Sequence, residues 1–209
     1  MILSSTTDRK PKTRDTRRDA FVSAAREAFF SKGYGATSMS SIAAEVGGSK
    51  TTLWSYFPSK QELFAAVVDD LVDRYGVALE VPLDPEADVA DSLRGLGYAL
   101  LETIHAAPMI NLHRLCIGEA GRFPELARTL HERGPARGKA RMRNFVEAAM
   151  AGGKLRPGDP MDASLAFIGR LWAGSIQSHM LGLEDAPNEA EKKAEIEAAV
   201  DAFMRAWKP

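Results

Sequence analysis

Apolar residues recur three and four positions apart along almost the whole of this 209-residue chain, and no useful stretch alternates apolar with polar residues. A spacing of three and four is that of one face of an α-helix, whereas strict alternation would indicate a β-strand. The chain is therefore predicted to be all-α. Glycine and proline interrupt the pattern and indicate where the helices end.

The first two helices are predicted from their apolar stripes and end signals. An alanine- and phenylalanine-rich stripe over residues 17–32 indicates a helix that ends at Gly33, since glycine commonly follows a last helical turn. Thr37 is expected to cap a second helix. Gly47 and Gly48 then break the chain.

A third helix is predicted to begin at Ser49 and to stop before Pro58, because proline disfavours helical geometry in the residue before it. The sequence SKQE at 59–62 is a capping box that opens a fourth helix, predicted to run toward Leu79. Six further helices are predicted at 88–107, 108–121, 124–133, 136–151, 161–182 and 188–207.

Residues 37–57 form a candidate helix-turn-helix, in which the second helix enters the DNA major groove. Leu53 and Phe57 lie four positions apart and would pack on the first helix. The other side carries hydroxyl, amine and aromatic groups suited to phosphates, base edges and thymine methyls. Two short helices joined by glycine also occur in ordinary helical cores, so periodicity alone leaves both interpretations open.

The small net charge of −1 hides an asymmetry along the chain. Residues 1–60 hold ten Lys and Arg against five Asp and Glu, a net charge of +5. The other 149 residues hold 17 against 23, a net charge of −6. A basic first segment is typical of a phosphate-binding surface, although a basic disordered tail would have the same composition.

The stretch AFFSKGYGATSMSSIAAEVGGSKTTLWSYFPSKQELFAAVV, residues 28–68, resembles the DNA-binding domain of the tetracycline-repressor (TetR) family of bacterial transcriptional regulators. The resemblance rests on the succession KGY, TS, IA, G.SK.TLW.YF and SK..L. Residues 119–137 also resemble an AefR-like subgroup. The rest of the chain matches the family in length and helical character.

The resemblance implies a partner and the residues that contact it. The partner is duplex DNA with a near-palindromic operator. The residues implied are Thr37, Ser38, Ser49, Lys50, Thr51, Thr52, Trp54, Ser55, Tyr56 and Lys60. Gly48 departs from the pattern, because relatives often carry a larger residue there.

The family organisation implies three segments. Residues 1–16 would be a basic N-terminal arm and residues 17–60 the helix-turn-helix DNA-binding domain. Residues 61–209 would be a helical ligand-binding and dimerisation domain. Members of the family are usually homodimers that release DNA when a small molecule binds, so a repressor released by an apolar effector is expected.

An effector pocket is predicted among the middle helices, where aromatic and methionine side chains recur. The predicted lining is Tyr98, Leu101, His105, Leu112, Arg114, Leu115, Met142, Phe145 and Trp172, with Met109, Cys116 and Val146 as further candidates. His105 and Arg114 would orient the ligand, although Arg114 could instead pair with Glu119 or Glu102. The same stripes would also suit a plain core.

A homodimer is predicted to form through the last two helices, as a four-helix bundle. The predicted interface residues are Ile168, Trp172, Ile176, Val200, Phe203 and Trp207. The alternative is that both helices only cover the core of one chain.

No catalytic, metal or cofactor site is predicted. Cys116 and His113 lie three positions apart with no orienting partner, which is a poor nucleophilic pair. Glu102 and His105 form one Glu-x-x-His motif, whereas a di-metal bundle needs two.

The location expected from the sequence is the cytoplasm. No run approaches about 18 apolar residues, and the N-terminus lacks the apolar centre of a signal peptide. The single cysteine excludes an intrachain disulfide. A small-molecule-binding or structural helical protein without specific DNA binding is the alternative function, and the basic first segment favours the DNA-binding one.

Overall fold

The computed structural model describes residues 16–209, and within that range every regular element is a helix, which confirms the all-α prediction. The predicted basic arm at 1–16 lies outside the described residues except for Thr16. The first four helices are α1 (Thr16–Lys32), α2 (Met39–Glu45), α3 (Lys50–Tyr56) and α4 (Lys60–Tyr75). We call α1–α3 the head.

The remaining elements form the body. A 3₁₀ turn (Val77–Leu79) is followed by α5 (Val89–His105), α6 (Ala107–Glu119), α7 (Pro124–Arg133), α8 (Pro135–Ala151), α9 (Pro160–Leu171), a π turn (Trp172–Ile176), α10 (Gln177–Leu181) and α11 (Glu189–Trp207). No helix of the described range is long and apolar enough to cross a bilayer.

The head folds around the apolar stripe of α1. Phe21 and Phe29 of that stripe are fully buried together with Leu53, and Phe57 is 3% exposed. Leu53 and Phe57 therefore pack inward, as their spacing predicted, and the opposite side of α3 is left on the surface. Phe64 of α4 joins the same core and stacks edge-on against Phe29 at 5.9 Å between ring centroids.

Helix α4 connects the head to the body and is shorter than predicted. It ends at Tyr75 instead of continuing to Leu79, because the chain turns at Gly76, where a β-carbon would lie 2.4 Å from the Val72 carbonyl oxygen. Arg26 of α1 forms an ion pair with Asp70 of α4 at 3.4 Å. The long helix is thus fastened at its side to the head.

The helix predicted over 161–182 is divided. After α9 the backbone leaves helical geometry at Gly174 (φ −88°, ψ −132°) within the π turn, and α10 then resumes. The Glu195 carboxylate of α11 accepts a hydrogen bond from the Ser175 amide at 3.2 Å and lies 2.0 Å from where a β-carbon on Gly174 would be. A side chain at position 174 would therefore displace the Glu195 carboxylate from the Ser175 amide, and α10 ends at Gly182 in the left-handed conformation (φ +72°).

Candidate nucleic-acid interface and ligand cavity

The start of α2 is capped by Ser38. Its hydroxyl accepts a hydrogen bond from the Ser41 amide at 3.1 Å, and the Ser41 side chain completes a capping box. Thr37, predicted to cap the helix and to lie near phosphate, is instead 2% exposed. Its hydroxyl lies 2.8 Å from the Gly33 carbonyl oxygen, so this side chain holds the α1–α2 turn together and does not face solvent.

Helix α3 begins at Ser49, whose hydroxyl accepts a hydrogen bond from the Thr52 amide at 3.1 Å. Because Leu53 and Phe57 fix the buried side, the outer side of α3 presents Lys50, Thr51 and Ser55 to solvent. Cap geometry and core packing together therefore set the direction in which the predicted recognition residues point.

Trp54 and Lys50 are the prominent side chains of this outer surface. Trp54 is 46% exposed, which is unusual for a large aromatic side chain. Within residues 16–209 the Lys50 ammonium forms no ion pair or hydrogen bond. An exposed indole beside an unpaired cation and the Thr51 hydroxyl is a surface prepared for an anionic partner with apolar edges.

Tyr56 lies between surface and core. It is half-buried, and its ring is tilted against Phe21 at 6.1 Å between centroids. The side chain therefore buttresses α3 on α1 as well as reaching the edge of the surface.

Two arginines of α1, neither of them predicted as a site residue, lie beside this surface. The guanidinium of Arg17 lies 5.8 Å from the Phe21 ring centroid, and that of Arg18 lies 5.2 Å from the centroid of Phe57. A β-carbon on Gly48 would lie 2.8 Å from an Arg17 nitrogen. Gly48, which departs from the family pattern, thus leaves room for the Arg17 side chain beside α3. The clustered positive charge of residues 1–60 was the sequence signal that could have identified these arginines.

Lys60 was predicted to reach phosphate, and the structure gives its side chain a different role. The ammonium donates to the carbonyl oxygens of Tyr34 at 2.8 Å and Thr37 at 3.0 Å, and lies 4.2 Å from the centroid of the Tyr34 ring. Partial burial lowers the pKa of Lys60, an effect opposed by the nearby carboxylates of Glu119 and Glu125. Lys60 therefore joins α4 to the α1–α2 turn.

The body contains a cavity of about 630 Å³ between α4 and α9. Its wall is built mostly of apolar side chains, many of them from α5, α6 and α9, and includes Trp172. A volume of this size is typical of small-molecule sites. Polar side chains reach it at Thr103, His113, His131 and Lys139.

The cavity is displaced from the predicted pocket. Of the nine predicted lining residues Trp172 lies in the wall, and of the three further candidates Met109 and Cys116 do. The other predicted residues do not line this cavity. Tyr98 and Leu115 are partly buried and pack against the core. The remaining apolar ones are buried within the core, namely Leu101, Leu112, Met142, Phe145 and Val146. Most of the apolar side chains assigned to the pocket therefore belong to the packed core.

The predicted orienting residues His105 and Arg114 are engaged in fastening α10. His105 Nδ1 lies 2.8 Å from His179 Nδ1, and its Nε2 lies 3.0 Å from the Ser175 hydroxyl. Burial, together with the neighbouring positive charge of His179 and Lys192, lowers the pKa of His105 to about 4, against a smaller opposing effect of Glu102. Arg114 donates to the Met180 carbonyl at 2.9 Å and not to Glu119 or Glu102.

The histidine and cysteine of α6 do line the cavity. His113 Nδ1 lies 2.9 Å from the Met109 carbonyl oxygen, and burial lowers the pKa of the ring despite that bond. Burial raises the pKa of the Cys116 thiol to about 12, so the thiol stays protonated at neutral pH. No group of three or more His, Cys, Asp or Glu placed to hold a metal ion occurs among residues 16–209.

Three of the predicted dimer-interface residues require correction. Ile176, Val200 and Phe203 are at most 3% exposed within one chain, because the apolar sides of α9–α11 face the body core. Trp207 is half-buried and carries the Arg156 guanidinium 4.2 Å from its ring centroid. Ile168 lines the cavity, so Trp172, 38% exposed, is the predicted interface residue that reaches the surface most.

Head and body meet where α6 turns into α7. The Glu119 carboxylate, at the end of α6, accepts a hydrogen bond from the Gly35 amide at 3.0 Å. The Phe123 ring stacks edge-on against Tyr34 at 5.0 Å between centroids. Since Cys116, Ile117 and Ala120 line the cavity, one end of α6 contacts both the cavity and the head.

A helix-turn-helix head joined by α4 and α6 to a body with a ligand-sized cavity is the architecture of transcription regulators that combine both parts in one chain. The chain belongs to the TetR family of bacterial regulatory proteins, which confirms the resemblance. Residues 21–67 match the family model of that description, and residues 91–209 match the model of the AefR-like transcriptional repressor C-terminal domain.

Individual relatives agree with this assignment. The solved structure of the flavonoid-responsive regulator FrrA is 34% identical, with a TM-score of 0.81 and coverage of 93% of this chain and 98% of FrrA. The transcriptional activator FasR of Mycolicibacterium smegmatis is 36% identical over 91 residues, which is 44% of this chain and 42% of FasR. The transcriptional repressor ComR of Escherichia coli is 35% identical over 83 residues, which is 40% of this chain and 39% of ComR. The chain thus matches about two fifths of the length of these two curated relatives.

Proposed function

We propose that the protein is a homodimeric transcriptional repressor that binds a near-palindromic operator and leaves it when a small apolar molecule enters the body. The observation that carries the proposal is the outer surface of α3, where Lys50, Thr51 and Trp54 are held exposed by a capped and core-packed helix. In helix-turn-helix proteins this surface faces the major groove.

DNA binding is proposed to combine two kinds of contact. Lys50, together with Arg17 and Arg18 beside α3, would neutralise phosphates, which supplies affinity but no sequence information. Thr51 and Trp54 would meet base edges, thymine methyls or sugars. Of the other residues predicted to contact DNA, Ser38, Ser49 and Ser55 are exposed, Thr52 and Tyr56 are half-buried, and the side chains of Thr37 and Lys60 are engaged inside the protein.

The response to ligand is proposed to travel through α6 and α4. The wall of the cavity includes Cys116 and Ile117 of α6 and Val72 of α4, while Glu119 and Phe123 at the end of α6 touch the head. A ligand that prefers a shifted α6 would move the head with it, and its effect is limited to its difference in affinity between the two states. FrrA, a relative of 34% identity over nearly its whole length, is named as flavonoid-responsive, which supports a ligand-responsive body here.

Dimerisation is proposed to use the outward faces of α9–α11 and not their buried sides. Ala166, Ala173 and Gln177 lie exposed on one helix pair, and Ala194 and Ala198 lie exposed on α11. The four alanines of this set have small side chains, which allow two helices and their copies to approach closely in a bundle.

The same proposal gives the domain division and the location. The DNA-binding domain would comprise residues 17–60, the ligand-binding and dimerisation domain residues 61–209, and residues 1–16 would be a basic arm. A regulator of bacterial operators would work in the cytoplasm, where the chromosome lies.

The experiment that tests DNA binding selects duplexes from a random pool with the purified protein and measures affinity for the enriched site against salt. The site should be near-palindromic, with half-sites about 34–36 Å apart or at a multiple of that spacing. The logarithm of affinity should fall with the logarithm of salt by about 0.9 for each neutralised phosphate. A pool that stays unenriched, or binding that is insensitive to salt, would contradict the proposal.

A further inference from the structure

His113 is a residue of the cavity wall, and its hydrogen bond shows which of its two ring nitrogens carries the proton. Its Nδ1 lies 2.9 Å from the Met109 carbonyl oxygen. A carbonyl oxygen only accepts hydrogen bonds, so Nδ1 carries the proton. In a neutral imidazole the other nitrogen, Nε2, is then an acceptor. Burial lowers the pKa of His113 and so keeps the ring neutral at physiological pH.

The acceptor nitrogen of His113 is open to the cavity. Within residues 16–209, the bond to Met109 is the only hydrogen bond of the His113 side chain. Every fully buried side-chain nitrogen or oxygen in that range has a hydrogen-bond partner. Because Nε2 has no partner, it is not fully buried. Since His113 is 6% exposed and lines the cavity, the space that Nε2 reaches is the cavity itself.

The surroundings of His113 restrict what can bind there. Its ring lies 5.9 Å from that of Trp172, and the neighbouring wall is apolar, which suits a flat aromatic molecule. The other polar wall groups near the interior are engaged: the Thr103 hydroxyl oxygen accepts from the Ala78 amide at 3.2 Å, and the Cys116 thiol points to the Leu126 carbonyl at 3.8 Å. Lys139, half-buried in the wall, disfavours a cationic ligand.

We infer that the cavity binds an uncharged aromatic compound carrying a hydroxyl group of the phenol class, whose O–H donates a hydrogen bond to His113 Nε2. A ligand without a donor would displace water from an acceptor and leave it unpaired, whereas a phenol replaces that bond. A carboxylate would present only acceptors to Nε2 and is disfavoured at this position. The inference rests on the proposed ligand-responsive function and specifies the ligand class.

The test compares isosteric ligands by calorimetry on the full-length protein without DNA. One pair is 4-phenylphenol and 4-methylbiphenyl, and a second is a hydroxyflavone and the methylflavone with the same substitution position. 4-Phenylbenzoate serves as the anionic comparison. The hydroxyl member of at least one pair should bind about tenfold more tightly than its methyl isostere, since an unpaired buried acceptor costs about that factor in affinity.

Variants assign the preference to one nitrogen. His113→Phe keeps a planar ring without an acceptor and should bind the hydroxyl and methyl members equally. His113→Leu provides a second variant, and thermal unfolding shows whether each is folded. His131→Leu is the matched control, because His131 also lines the cavity but is exposed, and it should keep the preference.

Equal affinity within both pairs, a preference that persists in both folded His113 variants, tighter binding of the benzoate, or no binding of any of these compounds would overturn the inference. Because DNA is absent from the titrations, these outcomes are separate from the fate of the proposed function. Failure to bind DNA would refute the regulator while leaving a measured hydroxyl preference in place.

Discussion

The Glu119 carboxylate, at the end of the helix that lines the cavity, accepts a hydrogen bond from the amide of Gly35, in the turn between the first two helices of the head, at 3.0 Å. The two residues are 84 positions apart in the chain. Gly33, close by, has φ +84°, and a β-carbon there would lie 3.2 Å from the same carboxylate oxygen. The turn and the end of α6 therefore fit each other closely, and a shift of α6 must act on this contact.

Removing the acceptor should loosen the head from the body. We expect Glu119→Ala to lower the free energy of unfolding by about 1 kcal/mol, because the Gly35 amide loses its hydrogen bond. Hydrogen exchange at Gly35 should accelerate with it. Glu119→Gln is the control, since its amide oxygen can still accept, and it should lose less than half as much. Equal losses in both variants would show that charge, and not this bond, matters.

Substitutions of Lys60 and Lys50 should affect different properties. The first should lower stability, and the second should weaken DNA binding. We expect Lys60→Met to lower the free energy of unfolding on the order of 1 kcal/mol, because the carbonyls of Tyr34 and Thr37 lose a charged donor. Lys50→Ala should leave stability within about 0.5 kcal/mol. Chemical denaturation of both variants measures these changes.

Lys50→Ala should affect DNA binding although it leaves stability nearly unchanged. Lys50→Ala should weaken binding and reduce the salt slope by about 1, as expected for one lost phosphate contact. Lys208→Ala, on an exposed lysine at the far end of the chain, is the matched control and should change neither quantity. An unchanged salt slope in Lys50→Ala would remove Lys50 from the interface.

Acid should destabilise the protein through His105. The pKa of His105 is lowered to about 4 in the folded chain from 6.5, so between these values the unfolded chain binds the extra proton. The contribution of neutral His105 to the free energy of unfolding is therefore complete above pH 6.5 and is lost as the pH falls toward 4. The main physical reason is burial of the His105 ring, which disfavours its charged form; His179, whose Nδ1 lies 2.8 Å from Nδ1 of His105, adds to this effect.

The measurement is the midpoint of thermal unfolding between pH 7.5 and pH 4. Carboxylates also contribute to any acid loss, so the difference between wild type and His105→Gln isolates the histidine. His131→Gln replaces an exposed histidine and should behave as wild type. If His105→Gln and wild type lose stability in parallel, His105 is not the group responsible.

The dimer should depend on the outward face of the last helices. We expect Ala198→Arg to shift the protein toward monomer, because a long cation would separate α11 from its copy. Ala140→Arg, at an exposed position of α8, is the matched control and should remain dimeric. Sedimentation velocity at micromolar concentration distinguishes the two, and a wild type that is already monomeric would contradict the proposed interface.

Most of the fold could be predicted because helical periodicity and end signals are local. Helices α7, α8 and α11 lie within one residue of their predicted bounds, and the ends set by Gly33 and Pro58 agree. The division of 161–182 was missed because its cause is distant in sequence, namely Glu195 reaching the backbone at Gly174 and Ser175. A Gly-Ser pair within a helix was the available local signal.

The position of the cavity was predicted less accurately than the bounds of the helices, and the reason is physical. The stripe predicted on α6 included Leu112 and Leu115, which do not line the cavity, whereas the stripe in the wall adds His113 and Ile117 to the predicted Met109 and Cys116. Both stripes are apolar, and a sequence does not show which of them faces packed core and which faces empty space. A polar residue isolated in an apolar stripe, as His113 is, was the signal that could have separated them.

The walls of the cavity and the outer surface of α3 share no residue, and none of the lining side chains within 16–209 comes from α1, α2 or α3. Under the proposed function, ligand choice and operator choice can therefore be altered independently, provided that the end of α6 keeps its fit against the α1–α2 turn. For engineering, this means that a chain like this can be retuned as a biosensor for new compounds by changing cavity positions alone. In evolution, the same separation lets duplicated copies acquire new inducers while still controlling the old genes.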